Sequence, residues 1–370
     1  MEQLKLDKKR YGMHINFGEH AIVLALALFW VVLLISNAAF ARFSIYATII
    51  KEASMYAVCG IGMTFAIISG DFDLSVASQI ALSSVIFTAV IDKLCPANPG
   101  FSIILACLLV LVLGATMGLI NGVLIARMRI PAFITTLAMQ NIYRGLAQLV
   151  NDTPVAIATL GKEYLAFTSG TGDAVRWVVA GKQLFYGKGF AFTKLFGLPL
   201  FFYIMVALAI IGTIILRKTK LGRDILAIGN SKDAARIAGI NIPRTQTMIY
   251  VMVGLFTSMT ALMMTANQGS SNYGVPTGTE FTVISAVVLG GTALVGGKGS
   301  IFNTVIASIF IATISIALTT FGVNNSTHGI FRGGSVVFAF SINTLRSLLA
   351  DASAKRNARM NVRKQTAAAE

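Results

Sequence analysis

Four ionisable residues sit in or beside long apolar stretches: Asp71 and Asp73, both within GDFDLS, then Arg144 and Glu280. Ionisable groups at such depth face the interior of a helical bundle or a water-filled cavity. Two chemistries compete for them, hydrogen bonding to a polar solute and proton relay. A structural reading stands beside both, an ion pair or a carboxylate that caps a helix N-terminus. Asp73 and Ser75 fit such a cap, and for Asp73 the cap is favoured.

Enzymatic readings fare worse. Ser69-Gly70-Asp71 is similar to the aspartate motif of intramembrane proteases, but Ile68 stands where that motif needs its first glycine. No Tyr-Asp pair supplies a second aspartate. The cluster Gly290-Gly291-Thr-Ala-Leu-Val-Gly296-Gly297-Lys298-Gly299-Ser300 invites comparison with a phosphate-binding loop. That loop needs G-x-x-x-x-G-K-[ST]. Here Thr292 occupies the first glycine position and Gly299 follows the lysine, so ATP binding by this chain is not expected. The glycines are expected instead to let helices pack closely and break cleanly. Cys59, Cys95 and Cys107 lie in or beside apolar segments and read as small buried hydrophobes. His14, His20 and His328 are too far apart for metal-ligand spacing. The expectation is a non-enzyme with no catalytic residue, no metal site and no cofactor of its own.

The elements that position these residues are membrane spans. The apolar share is 55% and the charged share 12%, against about 25% charged in a soluble domain. Stretches such as Ala21–Phe40 and Phe201–Leu216 approach the ~20 residues that cross a hydrocarbon core. The reading is an all-α, polytopic transmembrane bundle of about ten spans, near 21–40, 53–69, 75–92, 102–126, 131–150, 199–216, 246–266, 281–297, 300–321 and 330–349. With that count Lys5, Lys8, Lys9, Arg10, Arg127, Arg129, Arg217, Lys218, Lys220, Arg223, Lys298 and the basic tail all fall on one side. The positive-inside bias makes that side cytoplasmic, with both termini on it. It also accounts for the net charge of +15 without nucleic acid, and the tail is read as an orientation signal and anionic-lipid contact. The first span is too long for a cleavable signal peptide, and no A-x-A-like site follows it. The layout is an N-terminal cytoplasmic segment 1–20, a membrane domain 21–350 and a tail 351–370.

Two polar features interrupt the membrane domain. An outer loop over 151–198 carries Trp177, Phe185 and Tyr186, and reads either as short helices on the outer membrane face or as a floppy connector. A cytoplasmic insert over 217–245 is longer than a connection requires. Asn230 or Ser231 can cap a helix there, Asp233 suits its first turn, Ala234 and Ala235 favour helix, and Arg236 suits its last turn. Gly239 can adopt the left-handed conformation that ends it. The spacing predicts a two-turn helix over 231–238, too short to be stable without a surface to lie on. That surface is this protein's own cytoplasmic face or a cleft in another subunit, and the second is preferred. A weak internal echo aligns Ile68–Ser75 with Val288–Val295, placing Gly70 on Gly290 and Leu74 on Leu294. Repeated broken helices of this kind meet at the substrate path in transporters.

Taken together, the segments resemble the permease subunit of bacterial monosaccharide ABC importers, the ribose/xylose/galactose group. Gly70-Asp71-Phe72-Asp73-Leu74-Ser75-Val76-Ala77-Ser78 is similar to the family's G-G-I-D-L-S-V-G-S. Asn121 to Leu137, with Pro131 and Phe133, is similar to its N-G-x-L-I…P-x-F-I-x-T-L stretch, and Arg144-Gly145-Leu146 to its R-G-L. Gly222-Arg223, Ala227-Ile228-Gly229, Ala234-Ala235-Arg236 and Gly239-Ile240-Asn241 match the loop that touches the ATPase. Glu280, Val288–Thr292, Gly296-Gly297 and Gly299-Ser300 match the last motif. The resemblance runs from about residue 45 to 350. Asp71, Phe72, Ala77, Thr282, Ala293 and Val295 depart from it.

The resemblance implies an inner-membrane transport subunit working with a second permease copy or a sister permease. Two ATP-hydrolysing subunits would lie below it, and a soluble binding protein above would deliver the sugar. ATP is then a cofactor of the partner. Gly222, Arg223, Asn230, Ser231, Asp233, Ala234, Arg236 and Gly239 are expected to couple to the ATPase. Asp71, Asn141, Arg144, Glu280 and Thr282 are expected along the path. Gly70, Asp73, Ser75, Gly290, Gly291, Gly296 and Gly297 are expected to shape the breaks. Other solutes (a furanone-type autoinducer, a sugar alcohol or a nucleoside) and an ion-coupled secondary transporter are the alternatives.

Overall fold

The computed structural model describes residues 17–94, 99–156, 198–268 and 278–324, with short pieces between and scattered positions as far as 341. The segment 1–16, the tail 351–370, most of the expected span 330–349, Cys95, and Trp177, Phe185 and Tyr186 lie outside the described residues.

Eleven α-helices account for most of what is described: α1 Phe17–Ser36, α2 Phe43–Ile68, α3 Val76–Leu94, α4 Pro99–Ala126, α5 Ala132–Val150, α6 Leu200–Lys218, α7 Lys220–Asn230, α8 Lys232–Ile237, α9 Ile242–Gln268, α10 Thr279–Leu289 and α11 Ile301–Thr320. By length and composition, four segments among the described residues can cross a bilayer: Ile104–Ala126, Leu200–Lys218, Ile242–Gln268 and Ile301–Thr320. Their apolar surfaces match lipid tails, and their backbone groups are bonded within the helix, as a water-free environment demands. The helices follow the expected apolar runs with two differences. The run expected over 281–297 is helical only to Leu289, because four glycines between Gly290 and Gly297 release the chain. The insert holds two helices instead of one, described below.

Helix α2 forms the axis of the bundle. Nearly every side chain from Ala53 to Ile68 is buried, against α6, α9, α10 and α11. The closest packing joins α4 to α9. A Cβ on Gly118 would lie 2.1 Å from the Tyr250 carbonyl oxygen, and one on Gly114 2.5 Å from that of Gly254. Gly122 meets the backbone of Thr247 in the same way. These three glycines recur every four residues, so they share one helix face and admit the neighbouring backbone along its length.

Among the described residues, six two-residue strands make three antiparallel pairs. β1 Val155–Ala156 joins β6 Ser270–Ser271; β2 Val178–Val179 joins β3 Lys182–Gln183; β4 Lys194–Leu195 joins β5 Leu198–Pro199. The described parts of the loop expected over 151–198 are therefore a bend at 152–153 and short strands, and the loop's start is tied to the chain that follows α9. Helical short segments were one expectation for that loop, and none of its described residues is helical.

Glycine spacing gives a first test. Gly118→Ala adds a better helix former but drives a methyl into a carbonyl. Overpacking costs about 1–3 kcal/mol, and the solubilised protein should melt several degrees lower. Gly145→Ala meets nothing within 4 Å, and its melting temperature should hold or rise.

Candidate functional site

Two polar clusters stand out, one at each end of α5, with a buried network besides. At the first end the insert packs onto the bundle. Thr219 caps α7, its hydroxyl accepting from Gly222 N at 3.2 Å. The helix turns Gly222, Ile225 and Ile228 inward and leaves Arg223 and Asn230 exposed. The sequence carried the signal for α7 in the spacing of Leu221, Ile225 and Ile228, an i, i+4, i+7 stripe. At the end of α7 three chain segments converge. A Cβ on Gly229 would fall 1.8 Å from the Ile68 carbonyl oxygen and 2.4 Å from Gly297 N. Gly297 N donates to that same oxygen at 2.8 Å. Gly296 and Gly297 have φ of +90° and +81°, a left-handed backbone that glycine adopts freely.

Helix α8 behaves differently. Ser231 caps it, accepting from Ala234 N at 3.2 Å, Asp233 lies in its first turn, and Arg236 reaches back to Asp233 at 3.3 Å. Gly239, with φ +80°, ends it. Asn230, the alternative cap, instead donates to the Leu226 carbonyl. Only Ala235 of α8 is buried, and Ile237 is 89% exposed.

The breaks between helices are the second component. Helix α2 stops at Ile68, and Gly70 is left-handed at φ +85°. Helix α10 stops at Leu289, with Gly290 as its cap and Gly291 at φ +87°. The two echoing segments are neighbours: a Cβ on Gly70 would point at the Val295 carbonyl, 3.8 Å away. Both glycine-rich breaks thus lie beside the insert, and a Cβ on Gly290 would press on the backbone of Asn303.

Between the ends lies Asp73, fully buried in the α2–α3 break. Its carboxylate accepts from Ser75 N at 2.8 Å, from the Ser75 hydroxyl, from Gln79 Nε2 at 3.1 Å and from Asn121 Nδ2 at 3.2 Å. Tyr143 donates to Asn121 Oδ1 at 3.1 Å. The network joins α3, α4 and α5 to the break.

The five expected path residues do not converge. Asp71 lies at the insert end: Gln246 Nε2 donates to its Oδ2 at 2.7 Å, and Lys232 Nζ stands 3.5 Å from its Oδ1. It lines an open cleft of about 500 Å³ with Arg129, Lys232, Arg236 and Gln246. Pro131, at the start of α5, lines that cleft too, whereas Arg144 is thirteen residues farther on, about 20 Å along the helix. There Arg144 donates to the Tyr273 carbonyl and feels the charge of Glu280. Glu280 is buried and accepts from Gln140 Nε2 at 3.3 Å and Gly278 N at 3.1 Å. Asn141 is exposed and donates to Leu137 O, and Thr282 is buried and donates to Gly278 O. Gln140 and Tyr273 were not singled out from the sequence; Gln140 precedes Arg144 by four residues, one helix turn on the same face. Cys59 is buried and Cys107 half-buried, both free thiols.

This arrangement has a polar cluster at each end and a broken-helix junction at one of them, where Gly290, Gly296, Gly297 and Gly299 pack against neighbouring chain. Residues 45–340 match the family described as branched-chain amino acid transport system / permease component. The chain belongs to this family. Among similar proteins are the probable ABC transporter permease protein YphD of Escherichia coli, 32% identical over 91% of this chain and 92% of that protein, and the ribose import permease protein RbsC of Bacillus subtilis, 31% identical over 94% and 99%. The galactose/methyl galactoside import permease protein MglC of Salmonella typhimurium is 28% identical over 92% and 98%. No solved structure matches this permease. It is a mostly helical, multi-pass membrane protein and a transport subunit, not an enzyme.

The Asp73 network predicts a second outcome. Asp73→Ala removes the acceptor shared by Ser75, Gln79 and Asn121 and leaves the two amides only the Ser75 hydroxyl, and losing buried hydrogen bonds to a charged group costs about 3 kcal/mol. The detergent-solubilised permease should lose several degrees of melting temperature, more than with Tyr143→Phe, which removes one donor.

Proposed function

We propose that this chain is the permease subunit of an ATP-driven ABC importer that conducts a monosaccharide handed over by an extracytoplasmic binding protein. The observation that carries this reading is the exposure of α8. A helix of six residues cannot offset its own nucleation cost, yet it is capped at both ends and shows all but Ala235 to the outside. Its neighbour α7 is packed on the bundle, so the insert holds α8 out as a handle. A nucleotide-hydrolysing partner with a cleft for that handle completes it. Ser231, Asp233, Ala234, Arg236 and Gly239 form the handle, while Gly222, Arg223 and Asn230 belong to its α7 mount.

The sugar assignment draws on the ribose and galactose permeases among its relatives. The cluster of Gln140, Arg144, Glu280 and Thr282, with Asn141 exposed nearby on α5, offers donors and acceptors suited to hydroxyl groups. Asp71 would serve at the insert end, on the cleft it lines with Arg129 and Gln246. Arg127, Arg129, the insert and Lys298 would mark the cytoplasmic side, with about ten spans, both termini on that side, and the layout 1–20, 21–350 and 351–370. The membrane is the bacterial inner membrane, a second copy or sister permease completes the path, and lipid meets the tail. ATP resides in the partner, and this chain holds no cofactor.

Three outcomes test the reading. The intact complex should co-purify with an ATPase, and vesicle uptake should stop when ATP is removed with ion gradients kept. Uptake that persists on the gradient alone overturns the assignment. Arg236→Glu and Gly239→Val should raise the ATP consumed per solute moved, measured in proteoliposomes, with the spans still folded. Arg144→Ala should cut uptake at least tenfold, about the cost of one lost charged hydrogen bond, with the ATPase still bound.

A further inference from the structure

We propose that Asp71 is a positioning residue that passes the displacement of α8 into the α2–α3 break and on to α5. The inference rests on the coupling reading above and adds a route to it. Asp71 is the point where three elements meet. Its own backbone N–H donates to Ala66 O at 3.0 Å, fixing it to the end of α2. One carboxylate oxygen lies 3.5 Å from Lys232 Nζ, the first residue of α8. The other accepts at 2.7 Å from Gln246, in the second turn of α9. Otherwise α8 is held to the bundle through Ala235, against Ile228 and Ile242.

The character of the ion pair matters. The Asp71 side chain is 11% exposed and that of Lys232 48%. A half-exposed pair of this length adds little to static stability, because solvent screens it. It is directional and breakable, and it gives Asp71 a different environment when α8 moves. Two residues on, Asp73 takes hydrogen bonds from α3 and α4, and Tyr143 of α5 binds the same Asn121. Phe72, between the aspartates, lies edge-on to Phe133 of α5, with ring centroids 6.5 Å apart. Tyr143 adjoins Arg144 in the chain, and Arg144 opens onto the far polar cluster. A continuous series of contacts thus runs from the exposed handle to the proposed path. A series of contacts is a route only where its members are energetically coupled.

The experiment is carried out on the assembled complex in proteoliposomes, measuring ATP hydrolysed per solute imported. Asp71→Asn keeps an acceptor for Gln246 and loses the charge. Lys232→Gln, at a half-exposed site, removes the same pair without touching the core. Each should raise the ratio about fivefold, the low end of ordinary coupling factors, and the two together should raise it no further than either alone. The exchange Asp71→Lys with Lys232→Asp should return the ratio towards the wild-type value. Arg236→Glu serves as the control for the coupling reading. If it raises the ratio and neither Asp71→Asn nor Lys232→Gln does, Asp71 has no such role and the coupling reading stands. If none of the three raises it, both fail. Additive effects of Asp71→Asn and Lys232→Gln also overturn the inference, since they place the two residues on separate routes.

Discussion

A helix that stops inside an apolar bundle leaves its last carbonyls without partners, and lipid offers none. In this protein α2 stops at Ile68, which is fully buried where the insert meets the bundle. The Ile68 carbonyl is satisfied by Gly297 N, from the break after α10. That bond is short only because Gly229, Gly296 and Gly297 have no side chains to hold the backbones apart. The termination of one helix therefore requires the termination of another and the seating of the insert beside both. The position of α7, the exposure of α8 and the proximity of the two echoing segments all follow from this convergence.

Asp73 is a second case of the same constraint, with charge in place of a backbone dipole. A carboxylate buried without a cation is costly unless donors surround it. Here the donors come from the break itself, from α3 and from α4, with Tyr143 of α5 bonded to the same Asn121, so the cost of burial is met by fixing where those helices stand. The cap expected of Asp73 and Ser75 is present, and the donors reach well beyond it. A residue read as a local end-piece holds the junction of α3, α4 and α5.

The contrast between α7 and α8 bears most directly on function. Both are short, polar and adjacent, and they differ in which side chains have neighbours. Ile225 and Ile228 are buried, whereas Ile237 lies in the open. An isolated exposed apolar residue is ordinary, and the proposed handle rests on one carried by a capped helix too short to stand alone. That argument, with the family assignment, favours a handle over a packed connector.

Where apolar runs lie, where glycine interrupts them, and that 231–238 is a capped helix were legible in the residues, because those properties depend on neighbours along the chain; the choice of Ser231 over Asn230 as the cap was not. The sequence also carried five ordered motifs that the family match bears out over 45–340. It did not reveal that Asp71 faces Lys232 and Gln246 and not Arg144, that Gln140 and Tyr273 join the far cluster, or that 220–230 packs as a helix of its own. Charge and hydropathy place a residue near an interface but leave open which of several segments there will be its partner. Only the packing of distant helices, set by glycine-lined faces and by donors supplied across them, decided those pairings.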